Sequence, residues 1–467
     1  MTGCAHRQTT SAAEAASGGE NNVENLPLPP GTTGLPIFGE TLAIADDMTG
    51  FLRERSARYG RIFRSNVFFR DVAFVSGPDA AAALLDPSRV DRAGGHPNHV
   101  RELFGGTNIN MYNGPKHTAL KTLLLEGFTR DAFVAYLPEI DRLVSQSLNA
   151  AVNAGQVKWA DELRKLAIEV ICQNVLGLAP SSTTDEIRAD YMAVLSGMTS
   201  IPIAFPGTTY SRAKSARDRL LERFRTLVAE HRAHPTQDGL SRILAAKLSD
   251  GTQFSDEELV LELHHTVIAG YIVFGLLMDI GWQLHAQPEI LERARAEVER
   301  MGPALDFETL YSAPYLTQVV MEAKRHAPIL PLVFATAKET FALGGYRIPK
   351  GWGVFWALTN ANMDEKMWTH PERFDPDRFS PERAEHLRHE HAFVPQGSGP
   401  MTGHKCLGFD YSTVVALTFA RRLLLDYQWD LPAQDFSLRY DLTPVEPRDG
   451  LLVKLRKRLP PVSVTAP

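Results

Sequence analysis

The stretch that most constrains this chain is an apolar run of twelve residues, Val267 to Met278, set inside a long helical pattern. Ser255-Asp256-Glu257-Glu258 carries a Ser-x-x-Glu capping box, in which two side chains satisfy orphan amides reciprocally and start a helix. The pattern continues past Trp282. About 27 residues of helix then span roughly 40 Å at 1.5 Å per residue, enough to cross a whole domain. Crossing a bilayer takes about 20 consecutive apolar residues, so the run predicts a buried central helix and no transmembrane anchor.

The rest of the chain supplies what such a helix needs around it. Length alone, at 467 residues, leans towards two or three domains. Hydrophobic residues make up 44% and charged residues 22%, ordinary globular chemistry with ample material for one large core. A net charge of -6 argues against a nucleic-acid binder, which carries a strongly basic balance. The three cysteines, Cys4, Cys172 and Cys406, have no metal-ligand spacing and an odd count, which predicts no disulfide framework and a reducing, cytoplasmic setting. The first residues lack the apolar core of a signal peptide. Residues 1–24 read as a disordered polar leader and 25–467 as the folded part.

Ile62 to Phe69 and Val72 to Ser76 read as strands with a turn at Arg70-Asp71, and Pro78 opens a short helix to Leu85. Helical periodicity covers Pro115 to about Gly177, about Ser211 to His234, and the central helix onward to His326. Strands return at Ala337 to Phe341, Tyr346 to Ile348 and Gly353 to Trp356, before a last helix from Tyr411 to Leu425. The fold class is mainly α with small β-sheets. No repeat and no alternating βα unit is visible.

Cys406 taken alone reads as a small buried apolar residue. Its surroundings change that. Phe393-Val394-Pro395-Gln396-Gly397-Ser398-Gly399 leads into Gly403-His404-Lys405-Cys406-Leu407-Gly408, and a long helix follows. Glycines let a backbone pass close to a flat macrocycle, and amides at a helix start stabilise a thiolate. Upstream, Glu322 and Arg325 share a helix face at i, i+3. Phe374-Asp375-Pro376-Asp377-Arg378-Phe379 comes between them and the cysteine loop.

This order (Glu-x-x-Arg, then an Arg-Phe segment, then a Gly-rich loop with Cys) resembles the cytochrome P450 family. The likeness spans roughly residues 26–458 and includes Pro29-Pro30-Gly31 and Gly114-Pro115-x-His117. It implies the P450 fold, with residues 25–467 as one haem domain and the long central helix on the distal side. It also implies haem b (iron protoporphyrin IX) with Cys406 as the metal ligand. Glu322, Arg325 and Arg378 would brace the loop behind the haem, and His117, Lys121 and His404 would meet its propionates. The family's propionate arginine has no counterpart in Val333-Phe334-Ala335-Thr336.

Two departures stand out. Where relatives carry Ala-Gly-x-Asp/Glu-Thr on the central helix, this chain has Ala269-Gly270-Tyr271-Ile272-Val273. The ligand-facing Ala269 and Gly270 remain, but the acid–alcohol pair that delivers protons does not. The cysteine loop is also longer, with Gly399 at the usual Phe position, and resembles the fatty-acid peroxygenase branch. That branch's Arg-Pro pair is replaced here by Ile272-Val273, so no carboxylate would be held at the central helix. Other segments look more like the bacterial retinoid-hydroxylase-like branch.

Glu262, Thr266, Ala269 and Val273 share one stripe, with His265 beside it. His265 and Thr266 are candidate relay residues. The plainer alternative makes His265 a satisfied core histidine and has Thr266 bond its own helix backbone. The expected activity is a monooxygenase-type oxidoreductase acting on an apolar terpenoid, polyene or lipid, with electrons from a separate ferredoxin or flavodoxin. The alternatives are a peroxide- or hydroperoxide-using peroxygenase or isomerase, and a haem protein without turnover.

Overall fold

The computed structural model describes residues 20–36, 39–439 and 444–458. Glu20–Asn25 form a short 3-10 helix, and Arg347 Nη1 donates to the Glu24 carbonyl at 2.9 Å, so residues 20–24 are structured where the leader was expected. The remainder of the expected leader, 1–19, lies outside the described residues.

Strands β1 (Ile62–Val67) and β2 (Arg70–Val75) form a hairpin, and β3 is Val90–Asp91. The helices that build the body are α1 (Gly114–Leu125), α2 (Arg130–Ala154), α3 (Trp159–Leu176), α4 (Ser182–Thr199) and α5 (Thr209–Ala233). They are followed by α6 (Asp256–Tyr271), α7 (Phe274–Ala286), α8 (Pro288–Met301) and α9 (Pro314–His326). Strands β4 (Leu332–Ala337) and β5 (Gly353–Ala357) precede the last helix, α10 (Phe409–Asp426). The helices share one large core, and a five-stranded sheet of order β1-β2-β5-β4-β3 flanks it with two smaller cores. Only β2 and β5 run parallel, pairing Val72 with Gly353 through Val75 with Trp356.

Three details differ from the sequence expectation. The hairpin turns at Phe68-Phe69, both at positive φ (53° and 61°), not at Arg70-Asp71. That register places Phe63, Ser65 and Val67 inwards and buries Val72 to Val75, so core burial outweighs unfavourable turn chemistry. Second, Leu332–Ala337 is a strand, held between β3 and β5, whereas residues 338–340 are not.

Third, the central helix is interrupted. Its capping box at Ser255 and Glu258 forms as expected. At Val273, however, the N–H donates to Gly270 O (3.3 Å), and Gly275 and Leu276 likewise bond three residues back. These tighter turns remove the usual i+4 donor from the Ala269 carbonyl. The β-branched pair Ile272-Val273 sits at the break. Among the described residues, 256–286 is the one helical stretch long and apolar enough for a membrane, and it is mostly buried in the protein.

His264 ties this helix to its surroundings. Its ring stacks on Tyr191 (5.5 Å), Nε2 lies 3.0 Å from Leu103 O, and Nδ1 lies 3.2 Å from Tyr191 Oη. Burial holds its pKa down at about 4, so it is a neutral clamp at ordinary pH.

Candidate active site

The two described cysteines have different surroundings. Cys172 is fully buried inside α3, where desolvation pushes its thiol far up. Cys406 is partly buried, one turn before α10. Its N–H donates to Gln396 O (2.9 Å), and Gln396 Nε2 approaches its Sγ at 3.8 Å. Gly397 makes this loop possible. Its φ is +82°, and a Cβ there would lie 2.8 Å from His404 O.

Behind the loop, α9 contributes Glu322 and Arg325, and the 3-10 turn Pro376–Phe379 contributes Arg378. All three side chains are at 0% exposure. Glu322 accepts from Arg325 Nε and Nη2 (2.7 Å each), from Arg378 Nε (3.0 Å) and from the Asp375 amide (2.8 Å). The remaining guanidinium protons go to carbonyls and one further acid: Arg325 to the carbonyls of Asn362 and Pro371, Arg378 to those of Thr369, His370 and Arg373 and to Glu385 Oε2 at 3.1 Å. Both guanidinium groups are thus saturated, and they pin the segment 362–373 beneath the loop. Such a network fixes geometry more than it adds stability.

On the other side of the cysteine, α1 brings His117 and Lys121 to meet His404. The two imidazoles are 4.1 Å apart between centroids, and Lys121 Nζ donates to Lys405 O at 2.7 Å. Arg92, at the end of β3, joins them. It is buried, its Nε has no partner, and burial lowers its pKa to about 10. Burial and then Lys121 and Arg92 depress His117 to about 4. His404 falls to about 2, through burial and then Arg92, His117 and Lys121. No carboxylate among the described residues pairs with any of the four. Basic groups gathered from β3, α1 and the cysteine loop without an acid make a site for an anion.

The central helix carries the remaining candidate residues. His265 Nε2 lies 2.6 Å from the Asn110 amide nitrogen, so a neutral ring accepts there and carries its proton on Nδ1. Nδ1 faces Glu262 Oε2 at 3.6 Å. Glu262 is 1% exposed, and its Oε2 has no hydrogen-bond partner, nor does Thr266 Oγ1. His265 is thus hydrogen-bonded through one nitrogen, and Thr266 makes no bond to its own helix backbone.

Gly270 differs from expectation. A Cβ on it would lie 2.4 Å from Ile171 Cγ1 on α3, so the glycine serves helix packing and does not open a ligand space. Ala269 stays partly exposed on the Glu262–Thr266–Val273 stripe. Gly270→Val is expected to lower stability by about 1–3 kcal/mol through overpacking. A second change, Ile171→Ala, should recover part of that loss, as read by denaturant unfolding. Additive losses in the double variant would show that Ile171 is not the obstacle.

The cytochrome P450 family model matches residues 29–453. The chain belongs to the cytochrome P450 family. It is 29% identical over 440 residues to the putative cytochrome P450 120 of Synechocystis sp., covering 93% of this chain and 98% of that protein. It is 26% identical to abscisic acid 8'-hydroxylase 2 of Arabidopsis thaliana, with 92% and 90% covered. Among solved structures, the retinoic acid-bound cyanobacterial CYP120A1 superposes with a TM-score of 0.85 at 28% identity, over 93% of this chain and all of that one. Cytochrome P450SP alpha shares the fold at a TM-score of 0.77 and 21% identity, over 90% of this chain and 99% of that one.

As a P450, the protein is a monooxygenase-type oxidoreductase whose cofactor is haem, and its residues fit that group. Cys406 is only partly buried in its glycine loop, and Arg92 and Lys121, with no paired acid, suit a porphyrin's carboxylates. Arg92 escaped sequence reasoning because an isolated arginine after a two-residue strand carries no motif. It stands in the cluster where the missing arginine of 333–336 was expected. Glu262 and Asn110 were also missed as partners of His265. The Glu262–His265 spacing of i, i+3 was the available signal for the first.

Proposed function

We propose that this P450 binds haem b through the Cys406 thiolate and hydroxylates an apolar terpenoid or polyene. The observation that carries this is Cys406 itself, partly buried and set between a saturated Glu322–Arg325–Arg378 brace and a basic cluster with no paired acid. Two similar proteins point to the substrate class: one is named an abscisic acid 8'-hydroxylase, and one was solved with retinoic acid bound. In this reading Arg92, His117, Lys121 and His404 hold the propionates. Ala269 leaves room above the iron, and Ile272 and Val273 present only carbon to the substrate.

Bound haem supplies the oxidising power, and a thiolate ligand favours O–O cleavage. The net reaction places one atom of dioxygen in a C–H bond and releases the other as water, taking up two electrons and two protons. The electrons come from a separate ferredoxin- or flavodoxin-type partner. The protons fall to this chain, and neither Ile272 nor Val273 can carry one. Glu262 and His265 form the acid–imidazole pair nearest Ala269 along the stripe. An imidazole has one nitrogen that accepts and one that donates, which suits proton transfer in both directions. Thr266, with its unpaired hydroxyl, extends the line.

The lost acid–alcohol pair also favours a second reading, in which peroxide is the oxidant and no dioxygen-reduction relay is needed. Product formation from a terpenoid and polyene panel should be compared with a reductase pair and with hydrogen peroxide. The proposed reading expects reductase-driven product, with product per NADPH falling severalfold in His265→Leu. It should rise in Val273→Thr, with peroxide-driven turnover little changed there. Turnover with peroxide alone would establish the second reading. Undiminished coupling in a Thr266→Val/His265→Ala double variant would remove both residues from the relay.

A further inference from the structure

A lysine lies buried behind the cysteine loop, inside the Glu-x-x-Arg turn. Lys324 is 2% exposed. Its Nζ donates to Phe409 O (2.7 Å), Thr413 Oγ1 (2.8 Å), Ser412 Oγ (3.0 Å) and Gln396 Oε1 (3.2 Å), and it sits 3.9 Å from the Phe409 ring centroid. Three protons therefore meet four acceptors and an aromatic face, and no carboxylate is among them. Taking an ammonium out of water is expensive. Burial pulls its pKa down to about 7, opposed by the negative charges of Cys406 and then Asp410.

Gln396 connects this ammonium to the cysteine. Lysine is a donor only, so the amide must turn its Oε1 to Lys324. That leaves Nε2 as the end facing Cys406 Sγ, at 3.8 Å, while the Gln396 carbonyl takes the Cys406 amide proton at 2.9 Å. A cation on the amide oxygen polarises the group and makes its N–H a stronger donor. Lys324 is enclosed between α9 and α10, where an apolar side chain would fill the same space without this arrangement.

We propose that Lys324, acting through Gln396, is a positioning residue that tunes the Cys406 thiolate, holding an N–H on the sulfur and a positive charge behind it. Both effects withdraw electron density from the ligand and favour the ferrous over the ferric state. The inference rests on Cys406 being the haem ligand.

The test is the reduction potential and ferrous-carbonyl spectrum of the haem-loaded Lys324→Met, Lys324→Arg, Gln396→Leu and Lys324→Met/Gln396→Leu proteins. Lys324→Met should shift the equilibrium with a fixed one-electron reductant about tenfold towards the ferric form, equivalent to ~59 mV. Gln396→Leu should shift it in the same direction. The double variant should move less than the sum of the two, because the residues act in series. Lys324→Arg, which keeps the charge, should stay near the parent. If Lys324→Met does not load haem, the comparison of Gln396→Leu with the parent decides. An unmoved potential in whichever variant loads, while the parent shows a thiolate-type carbonyl band, overturns the inference and leaves the ligand assignment standing. A parent without that band overturns the assignment itself.

Discussion

Cys406→His should abolish the long-wavelength carbonyl band typical of thiolate ligation and reduce product formation by several orders of magnitude. Histidine is a neutral ligand and does not push electron density to the iron as a thiolate does. The fold should survive the change. Cys406 is only partly buried, and its backbone bonds to the loop, the N–H on Gln396 O and the carbonyl under the Phe409 amide, are kept by histidine. Circular dichroism and thermal unfolding check that point. Cys172→Ala is the control. Cys172 is fully buried in α3, so its loss should lower stability modestly while leaving the carbonyl band in place. An unchanged carbonyl spectrum in Cys406→His would end the assignment.

Removing the carboxylate of Glu322 should have the largest effect on stability. Arg325 and Arg378 are at 0% exposure and both pair with that acid, which is Arg325's own carboxylate partner. Breaking a buried pair by deleting one partner costs about 3–5 kcal/mol, because the other charge stays behind. Total stabilities of about 5–15 kcal/mol leave little margin. Glu322→Ala is thus expected to yield little folded, haem-loaded protein. Glu322→Gln should do slightly better, since its amide oxygen still accepts one hydrogen bond. Glu385→Ala should be milder: Arg378 also binds Glu385 Oε2 at 3.1 Å, but keeps Glu322 and three carbonyls. Denaturant midpoints with haem content measured alongside check the order. A loss below about 1 kcal/mol in Glu322→Ala would contradict the network's role.

The groups that were legible in the sequence are those whose chemistry compresses into a short motif. Cys406 in its glycine loop, Glu322 with Arg325, and Arg378 three residues after Asp375 all stand where the order of motifs put them. What stayed hidden depends on tertiary approach. Arg92 reaches the basic cluster only because β3 pairs with β4. Asn110 meets His265 from 155 residues away in sequence. Lys324 reads as a surface residue by composition, and only the packing of α9 against α10 shows that its ammonium is enclosed. The break at Ile272-Val273 was invisible because the apolar pattern runs through it unchanged. The turn at Phe68-Phe69 was misplaced because phenylalanine rarely takes positive φ, so turn propensity pointed to Arg70-Asp71.

The basic cluster also bears on how the protein fares during synthesis. With Arg92 and Lys121 buried beside the neutral imidazoles of His117 and His404, and no acid paired with either, the chain alone holds two uncompensated positive charges that repel each other. A dianionic cofactor relieves that repulsion, and whatever binds only the folded form adds to its stability in proportion to its supply. Cells short of haem should therefore accumulate less of this polypeptide, through faster degradation of the unloaded chain, even with transcription held constant. Its abundance would follow porphyrin availability, so newly made copies that escape proteolysis would be those already able to turn over.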